Sequence, residues 1–204
     1  MTTELQSHWE TIYANKRPDQ VSWTQEAPTH SLELIRELSL PKTASIIDIG
    51  GGDSKLVDYL LDEGYEDVTV LDISANAIER AKERLGEARA QQVTWIVSDI
   101  LRFEPDRYYD LWHDRATFHF LTEEASIQPY VTIAEQTVRH YLIMGTFSDQ
   151  GPEKCSGLPI SQYDESSMTA LFSKQFDNIH CKRYLHETPF ETTQEFLFCS
   201  FQRR

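Results

Sequence analysis

Short apolar runs alternate with longer amphipathic stretches over residues 44–147 of the 204-residue chain. The runs are rich in β-branched and aromatic residues, which is typical of strands buried on both faces of a parallel sheet. Five runs have this character: 46–49, 68–71, 93–97, 108–112 and 141–147. Apolar residues at helical spacing fill most of the intervening stretches, for example over residues 75–85. The pattern predicts an α/β fold built on a doubly wound, mostly parallel sheet.

The N-terminal part of the chain, residues 1–41, precedes this alternation. It carries two amphipathic patterns, one over residues 4–16 and one from Thr29 to just before Pro41. We expect two helices, which either pack beside the sheet as an extra layer or form a lid over a bound ligand.

The C-terminal part, residues 148–204, changes character again. A long loop is followed by a short helix that Asp164 can cap. Two strands, at 178–186 and 194–202, then follow each other without a helix between them. Two successive strands predict an antiparallel hairpin at the end of the sheet. We expect residues 1–204 to form a single domain.

Three consecutive glycines, Gly50, Gly51 and Gly52, follow the first strand and lead into a helix. Glycine lets a backbone turn sharply and approach a bound molecule closely. A strand, a glycine loop and a helix in this order are typical of a nucleotide-type site. The dinucleotide fingerprint requires a third spaced glycine, and Lys55 stands at that position. The loop therefore does not match a nicotinamide site.

Acidic residues accompany the first three strands. Asp48 precedes the glycine loop, Asp72 ends the second strand and Asp99 follows the third. An adenosyl ligand without phosphates explains this series, because Asp72 would accept both ribose hydroxyls and Asp99 would face the adenine amino group. Asp48 would support the loop and the ammonium end of the ligand.

The segments Asp48-Ile-Gly-Gly-Gly-Asp-Ser54, Val70-Leu-Asp72 and Ser98-Asp99-Ile100 resemble, in order and spacing, the motifs of class I S-adenosylmethionine-dependent methyltransferases. The resemblance covers residues 44–147, which it marks as the cofactor-binding core, and implies a Rossmann-like, seven-stranded sheet with a C-terminal hairpin. It implies S-adenosylmethionine as cofactor and S-adenosylhomocysteine as product. Ser54 departs from the family pattern by occupying its last glycine position. The cofactor-binding residues that we predict are Asp48, Gly50, Gly51, Gly52, Asp72, Ile73, Asp99, Ile100, His113 and Trp23.

The run from His8 to Trp23 is similar to the start of two methyltransferase subgroups. One contains the thiopurine- and tellurite-type enzymes, which act on small molecules and cover the cofactor with N-terminal aromatic residues. The other contains protein lysine methyltransferases, whose fourth strand ends in Asp-Lys-Gly-Thr-x-Asp. The corresponding segment here is Asp114-Arg-Ala-Thr-Phe-His119, so a histidine replaces the second acid. The comparison favours a small-molecule acceptor.

The turn from His113 to His119 is expected at the carboxyl edge of the sheet, where α/β proteins bind ligands. We predict His119 as a general base, since its unperturbed pKa is about 6.5, and Asp114 as a second catalytic residue, which could hold the methionine ammonium group or the substrate. Structural roles, such as lining the next helix or a solvated turn, are the alternatives for both. The substrate-binding residues that we predict are Trp9, Tyr13, Arg115, Phe118 and Tyr163. Cys155 and His186 are further candidates, and we expect no metal site.

The composition of the chain disfavours some kinds of binding partner. The chain has 33 acidic and 19 basic residues, a net charge of −14, which disfavours nucleic acid. No apolar run approaches the roughly 18 residues of a membrane span, so we expect no membrane partner. The 3 cysteines lack the spacing of paired cysteines, so we expect the protein in the reducing cytoplasm. The sequence leaves the oligomeric state open between a monomer and a homodimer.

The sequence therefore predicts transfer of a methyl group from S-adenosylmethionine to a sulfur, nitrogen or oxygen atom of a small molecule. Three other functions remain as alternatives. They are a protein (lysine) methyltransferase, an inactive protein that binds S-adenosylmethionine, and, more distantly, a nicotinamide oxidoreductase.

Overall fold

A computed structural model describes residues 2–204 and contains a seven-stranded sheet with helices on both faces. The helices are α1 (Thr2–Asn15), α2 (Thr29–Glu37), α3 (Leu56–Asp62), α4 (Ala75–Leu85), α5 (Glu87–Ala90), α6 (Glu124–Thr137) and α7 (Glu165–Phe172). The strands are β1 (Ser45–Ile49), β2 (Asp67–Asp72), β3 (Val93–Val97), β4 (Tyr109–Arg115), β5 (Val138–Phe147), β6 (Lys154–Cys155), β7 (Leu158–Pro159), β8 (Phe176–Glu187) and β9 (Thr193–Arg203).

The strand order in the large sheet is β3-β2-β1-β4-β5-β9-β8. β1 to β5 run parallel, whereas β9 pairs antiparallel with both β5 and β8. The order changes direction at β1 and β4, and this switch point is where open α/β sheets bind their ligands. The predicted doubly wound fold with a C-terminal hairpin is confirmed. The pair β6 and β7 forms a separate two-stranded ribbon.

The central strands, such as β1, are buried on both faces, as their continuous apolar sequences indicate. Ile46 and its neighbours on one face pack against α2 and α3, through residues such as Leu34 and Leu60. Ile47 on the other face belongs to a cluster with Tyr130 of α6. The two covering layers fix the sheet and leave its carboxyl edge free to form a site.

Strand β4 is longer than the sequence pattern predicts. It continues past Trp112 to Arg115, so His113, Asp114 and Arg115 are strand residues. Ala116, just beyond the strand, has a left-handed backbone with φ of 65°, which is uncommon for a residue with a Cβ atom. The turn at Ala116 redirects the chain, and this change decides where the following side chains lie.

The cysteines also differ from expectation. Cys181 on β8 and Cys199 on β9 face each other directly and form a disulfide. The expectation of unpaired cysteines was wrong because residues that are separated by 18 positions in sequence become neighbours across a hairpin. Cys155 is free and buried.

No helix within residues 2–204 is both long enough and apolar enough to cross a membrane. Within the same residues no group of three or more histidine, cysteine, aspartate or glutamate side chains is arranged to hold a metal ion.

Candidate active site

A cavity of about 1060 Å³ lies at the carboxyl ends of β1, β2 and β4, beneath the N-terminal segment. Its volume lies at the upper end of the roughly 300–1,000 Å³ of most small-molecule sites. Most of the residues predicted from sequence line it together: Trp9, Tyr13, Trp23, Asp48, Gly50, Gly51, Asp72, Ile73, Asp99, Ile100, His113 and Arg115.

The glycine loop is compact because side chains of the site pass directly over it. A Cβ atom on Gly50 would lie 1.7 Å from the Thr117 hydroxyl, and one on Gly51 would lie 2.5 Å from an Asp48 carboxylate oxygen. A Cβ atom on Gly52 would lie 2.5 Å from a carboxylate oxygen of Asp72. Gly50 and Gly52 also have positive φ angles, 65° and 30°. Gly52 therefore makes room for Asp72, although it is not part of the cavity wall.

Asp72 ends β2 and faces the cavity with little exposure to solvent. Its carboxylate accepts a hydrogen bond from the backbone N–H of Ser74 at 2.8 Å. Within residues 2–204 no side chain donates to Asp72, and no cation pairs with it. Burial, with the nearby Asp48 and Glu10 as lesser causes, raises the pKa of Asp72 to about 7. The carboxylate is thus suited to accept hydrogen bonds from a ligand.

Asp99 lies just beyond β3, the strand beside β2, and also lines the cavity. Its side chain accepts a hydrogen bond from the N–H of Leu101 at 2.9 Å and caps a short helical turn. The bond fixes the carboxylate at the edge of the sheet.

Asp48 and His113 are neighbours across β1 and β4. His113 Nδ1 lies 2.7 Å from Asp48 Oδ1, and its Nε2 lies 2.9 Å from the hydroxyl of Ser31 on α2. All three side chains are buried and line the cavity. A hydrogen-bonded chain therefore connects the glycine-loop strand to α2.

The N-terminal segment covers the cavity and is fastened to its wall. Gln6 donates to the carbonyl of Ile73 at 3.3 Å. Glu10 accepts from the hydroxyl of Ser74 at 3.0 Å and from the N–H of Ala75 at 2.7 Å, at the start of α4. α1 therefore closes over the end of β2.

Aromatic side chains form the inner surface of this cover. The Trp9 ring lies 5.1 Å from that of Phe120 and 5.6 Å from that of Trp23, both in edge-to-face geometry. Tyr13 packs beside Trp9 and Trp23. Such contacts combine apolar area with defined ring orientation, so they give the cavity a shaped apolar wall.

Arg115 brings a cation into the same space. Its Nη1 donates to the carbonyl of Trp23 at 3.1 Å, and its guanidinium lies 5.0 Å from the centre of the Phe196 ring. Its Nη2 is buried and has no hydrogen-bond partner within residues 2–204. Burial lowers the pKa of Arg115 to about 10. The group remains charged at neutral pH and lacks a salt-bridge partner among the described residues.

His119 does not reach the cavity. It is completely buried, stacks on Phe147 with ring centres 4.6 Å apart, and its Nδ1 accepts from the N–H of Phe147 at 3.4 Å. Burial lowers its pKa to about 3. A neutral side chain enclosed by protein has no access to an acceptor, so the structure corrects the assignment of His119 as a base.

Asp114 is also separated from the cavity. Its carboxylate accepts from the hydroxyl of Tyr130 at 2.6 Å and from the N–H groups of Thr117 and Phe118 at 3.2 and 3.1 Å. Because these bonds hold the turn after β4, its role is structural and the catalytic assignment is corrected. Three other candidates lie outside the cavity: Phe118, Tyr163 and His186.

The structure adds residues that sequence reasoning missed, namely Glu10, Ser31 and Thr117. Phe120 lines the cavity, as its place in the sequence beside the His113–His119 turn indicates. Ser31 and Glu10 gave no such signal, because their roles depend on how α1 and α2 pack. Cys155 lines the cavity, and burial raises its pKa to about 11.

The cavity residues fit S-adenosylmethionine. Asp72 is a buried acceptor without a side-chain donor, which two ribose hydroxyls can supply, and Gly51 leaves a backbone surface beside Asp48. Asp48, Asp72 and Glu10 lie close enough to influence one another electrostatically. Their field favours a ligand that carries positive charge at sulfur and nitrogen.

Comparison with known proteins agrees with this geometry. Residues 46–137 match the family model described as "Methyltransferase domain". Over residues 46–137 the chain is therefore similar to class I S-adenosylmethionine-dependent methyltransferases, in family model as well as in fold.

Individual relatives differ in what they act on. The chain is 36% identical over 135 residues to malonyl-[acyl-carrier protein] O-methyltransferase of Anoxybacillus flavithermus. This alignment covers 65% of this chain and 49% of the relative. It is 28% identical over 122 residues to the eEF1A lysine and N-terminal methyltransferase of Mus musculus, and this alignment covers 59% of this chain and 17% of the relative. The chain thus spans about half the length of the first relative and less of the second.

Solved structures share the fold over nearly the whole chain. The Burkholderia thailandensis 1,6-didemethyltoxoflavin-N1-methyltransferase, with 1,6-didemethyltoxoflavin and S-adenosylhomocysteine bound, superposes with a TM-score of 0.75 at 19% identity. The match covers 98% of this chain and 87% of that one. At this identity the likeness concerns the fold.

Proposed function

We propose that the chain transfers the methyl group of S-adenosylmethionine to a sulfur, nitrogen or oxygen atom of a small molecule. The cofactor would supply a methyl group on a positively charged sulfur atom. The lone pair of the acceptor would form the new bond to the methyl carbon, and the electron pair of the broken carbon–sulfur bond would stay on sulfur. Asp72 would hold the ribose, Asp99 the adenine and Asp48 the ammonium group. Because the leaving group is good, the protein contributes mainly alignment and proton transfer.

The observation that carries the proposal is the covered, aromatic-walled cavity next to the glycine loop. Trp9, Trp23 and Phe120 pack against one another and line the same cavity as Asp48 and His113. A volume of about 1060 Å³ has room for the cofactor and a small acceptor together. α1 is fastened to Ile73 and Ala75 over the end of β2 and so narrows the space for a polypeptide acceptor. The enclosure favours a small acceptor.

Arg115 indicates one property of that acceptor. A buried guanidinium with an unpaired nitrogen and no salt-bridge partner among the described residues is unfavourable unless a ligand supplies an acceptor group. A carboxylate or similar anion would pair with it in the apolar setting of Phe196 and Trp23. We therefore expect an acceptor molecule with an anionic group.

The proposal is tested by incubating the protein with S-adenosylmethionine and a panel of thiols, amines, phenols, carboxylic acids and basic peptides. Release of S-adenosylhomocysteine is the readout. We expect turnover of a small anionic compound, and Arg115→Met should raise its KM about tenfold or more, the scale of a lost charged hydrogen bond. Arg139→Met replaces an exposed arginine on β5 and serves as the matched control.

Two results would contradict the proposal. Methylation of basic peptides alone would favour a protein acceptor, as in the lysine methyltransferase relative. Absence of S-adenosylmethionine binding in calorimetry would remove the cofactor assignment itself.

A further inference from the structure

Three side chains from separate elements form a continuous hydrogen-bonded chain inside the cavity. Ser31 comes from α2, His113 from β4 and Asp48 from β1. The Ser31 hydroxyl lies 2.9 Å from His113 Nε2, and His113 Nδ1 lies 2.7 Å from Asp48 Oδ1. Their exposed fractions are 1%, 2% and 3%. These three side chains are shielded from bulk solvent and still line the cavity.

The chemistry of the three groups decides which atom donates and which accepts in each hydrogen bond. An ionised carboxylate can only accept, so Asp48 holds a proton on His113 Nδ1. His113 Nε2 is then unprotonated and accepts the Ser31 hydroxyl. The lone pairs of the Ser31 oxygen stay available, because His113 is its one side-chain partner within residues 2–204. Ser31 can therefore accept a hydrogen bond from a ligand in the cavity.

A proton acceptor is needed because a neutral thiol, amine or hydroxyl loses a proton when it is methylated. His119 is enclosed away from the cavity. Cys155 lines the cavity, but its thiol stays protonated at neutral pH since burial raises its pKa to about 11. Asp72 and Asp99 lie where the nucleoside would bind. Two histidines line the cavity, His8 and His113, and of these His113 alone has both ring nitrogens held by side chains among the described residues.

We propose that Ser31, His113 and Asp48 form a proton relay that serves the methyl acceptor. The acceptor's proton passes to Ser31 Oγ as the hydroxyl proton of Ser31 passes to His113 Nε2. The resulting imidazolium is balanced by the Asp48 carboxylate and later gives its proton to water. This inference rests on the proposed methyl transfer and identifies the group that makes the acceptor nucleophilic.

The first experiment reads the protonation of His113 and needs no acceptor. Protein labelled with ¹⁵N-histidine and saturated with S-adenosylhomocysteine is examined by two-bond ¹⁵N–¹H correlation spectra near pH 7.5. The signal of His113 among the 7 histidines is assigned by its loss in His113→Gln. We expect a neutral ring protonated at Nδ1. A ring protonated at Nε2, or at both nitrogens, would overturn the relay.

The second experiment uses the fastest compound of the panel and analogues of it whose acceptor pKa values lie above and below the assay pH. Ser31→Ala should slow high-pKa acceptors about 100-fold, within the range of general base catalysis. It should leave already ionised acceptors and S-adenosylmethionine affinity nearly unchanged, and Ser31→Thr should restore much of the rate. Ser200→Ala removes an equally buried serine, 1% exposed, from β9 outside the cavity and is the control.

The outcomes separate the relay from the proposed function. An equal loss in Ser31→Ala for acceptors of every pKa would mean that Ser31 only shapes the cavity, and the relay would be wrong. Lost S-adenosylmethionine binding in the unmodified protein would instead refute the methyltransferase proposal. If no panel compound is methylated, a His113 ring protonated at Nε2 or at both nitrogens would still overturn the relay.

Discussion

The carboxylate of Glu10 accepts a hydrogen bond from the backbone N–H of Ala75 at 2.7 Å, across 65 positions of sequence. The first turn of α4 has unpaired N–H groups and a positive dipole end, so a carboxylate is favoured there. The same Glu10 accepts from Ser74, whose backbone N–H is bound by Asp72. The cover of the cavity and the proposed ribose site are therefore mechanically connected.

Removal of this connection should loosen the cover. We expect Glu10→Ala to weaken S-adenosylhomocysteine binding and speed its release about fivefold, because a lost helix cap costs about 1 kcal/mol. Release of tritium-labelled S-adenosylhomocysteine into an excess of unlabelled compound measures the rate. Glu26→Ala changes an exposed glutamate of the same segment and should have no effect. Equal release rates in both variants would show that α1 does not retain the ligand.

Asp72 should make cofactor binding depend on pH. Its pKa of about 7 means that the carboxyl is largely protonated at pH 6 and ionised at pH 8. The ionised form accepts ribose hydroxyls better, so we expect S-adenosylmethionine affinity to rise with pH over this range. Asp72→Asn should bind about tenfold or more weakly at pH 8 and show a flatter profile. Calorimetry at pH 6, 7 and 8 is the measurement. Unchanged affinity of the variant would show that Asp72 does not bind the ribose.

His119 should influence stability and leave catalysis alone. Its folded pKa is lowered to about 3, whereas an unfolded histidine titrates near 6.5. The stability that it contributes is complete above pH 6.5 and is lost as the pH falls toward 3. One proton per molecule corresponds to about 1.4 kcal/mol per pH unit below that point.

The comparison with His119→Asn isolates this contribution, since Asn keeps an acceptor near the N–H of Phe147. Denaturant unfolding at pH 7, 6 and 5 should show the unmodified protein losing more stability than the variant. His140→Asn replaces an exposed histidine and is the control. A variant that follows the pH dependence of the unmodified protein would show that His119 titrates normally.

The disulfide between Cys181 and Cys199 should stabilise the hairpin of β8 and β9. Closing a loop of this length contributes about 2–4 kcal/mol. We expect Cys181→Ser, or added reductant, to lower the free energy of unfolding by that amount in urea titrations. Cys155→Ser should retain the sensitivity to reductant. An unmodified protein that is indifferent to reductant would argue against the bond.

The cofactor half of the site could be predicted because it depends on strand ends. Residues that follow parallel strands meet at one edge of the sheet, so the order of the glycine loop, Asp72 and Asp99 was sufficient to place them together. The same logic misplaced His119. The pattern did not show that β4 continues to Arg115 or that Ala116 adopts a left-handed turn, and these two features direct His119 away from the cavity.

Contacts between distant elements gave no sequence signal. Ser31 reads as an ordinary polar position of α2, and its partner His113 is 82 positions away. Likewise Cys181 and Cys199 became partners only through the register of β8 and β9. Such pairs follow from packing, which one sequence does not specify by pattern.

The aromatic cover also provides an optical reporter. Of the 4 tryptophans, Trp9 and Trp23 line the cavity, whereas Trp95 and Trp112 lie outside it with their indole nitrogens bonded to Ala90 and Tyr130. A molecule that enters the cavity alters the surroundings of the first pair alone. Intrinsic fluorescence can therefore screen unlabelled compounds for binding, including acceptors that are never turned over.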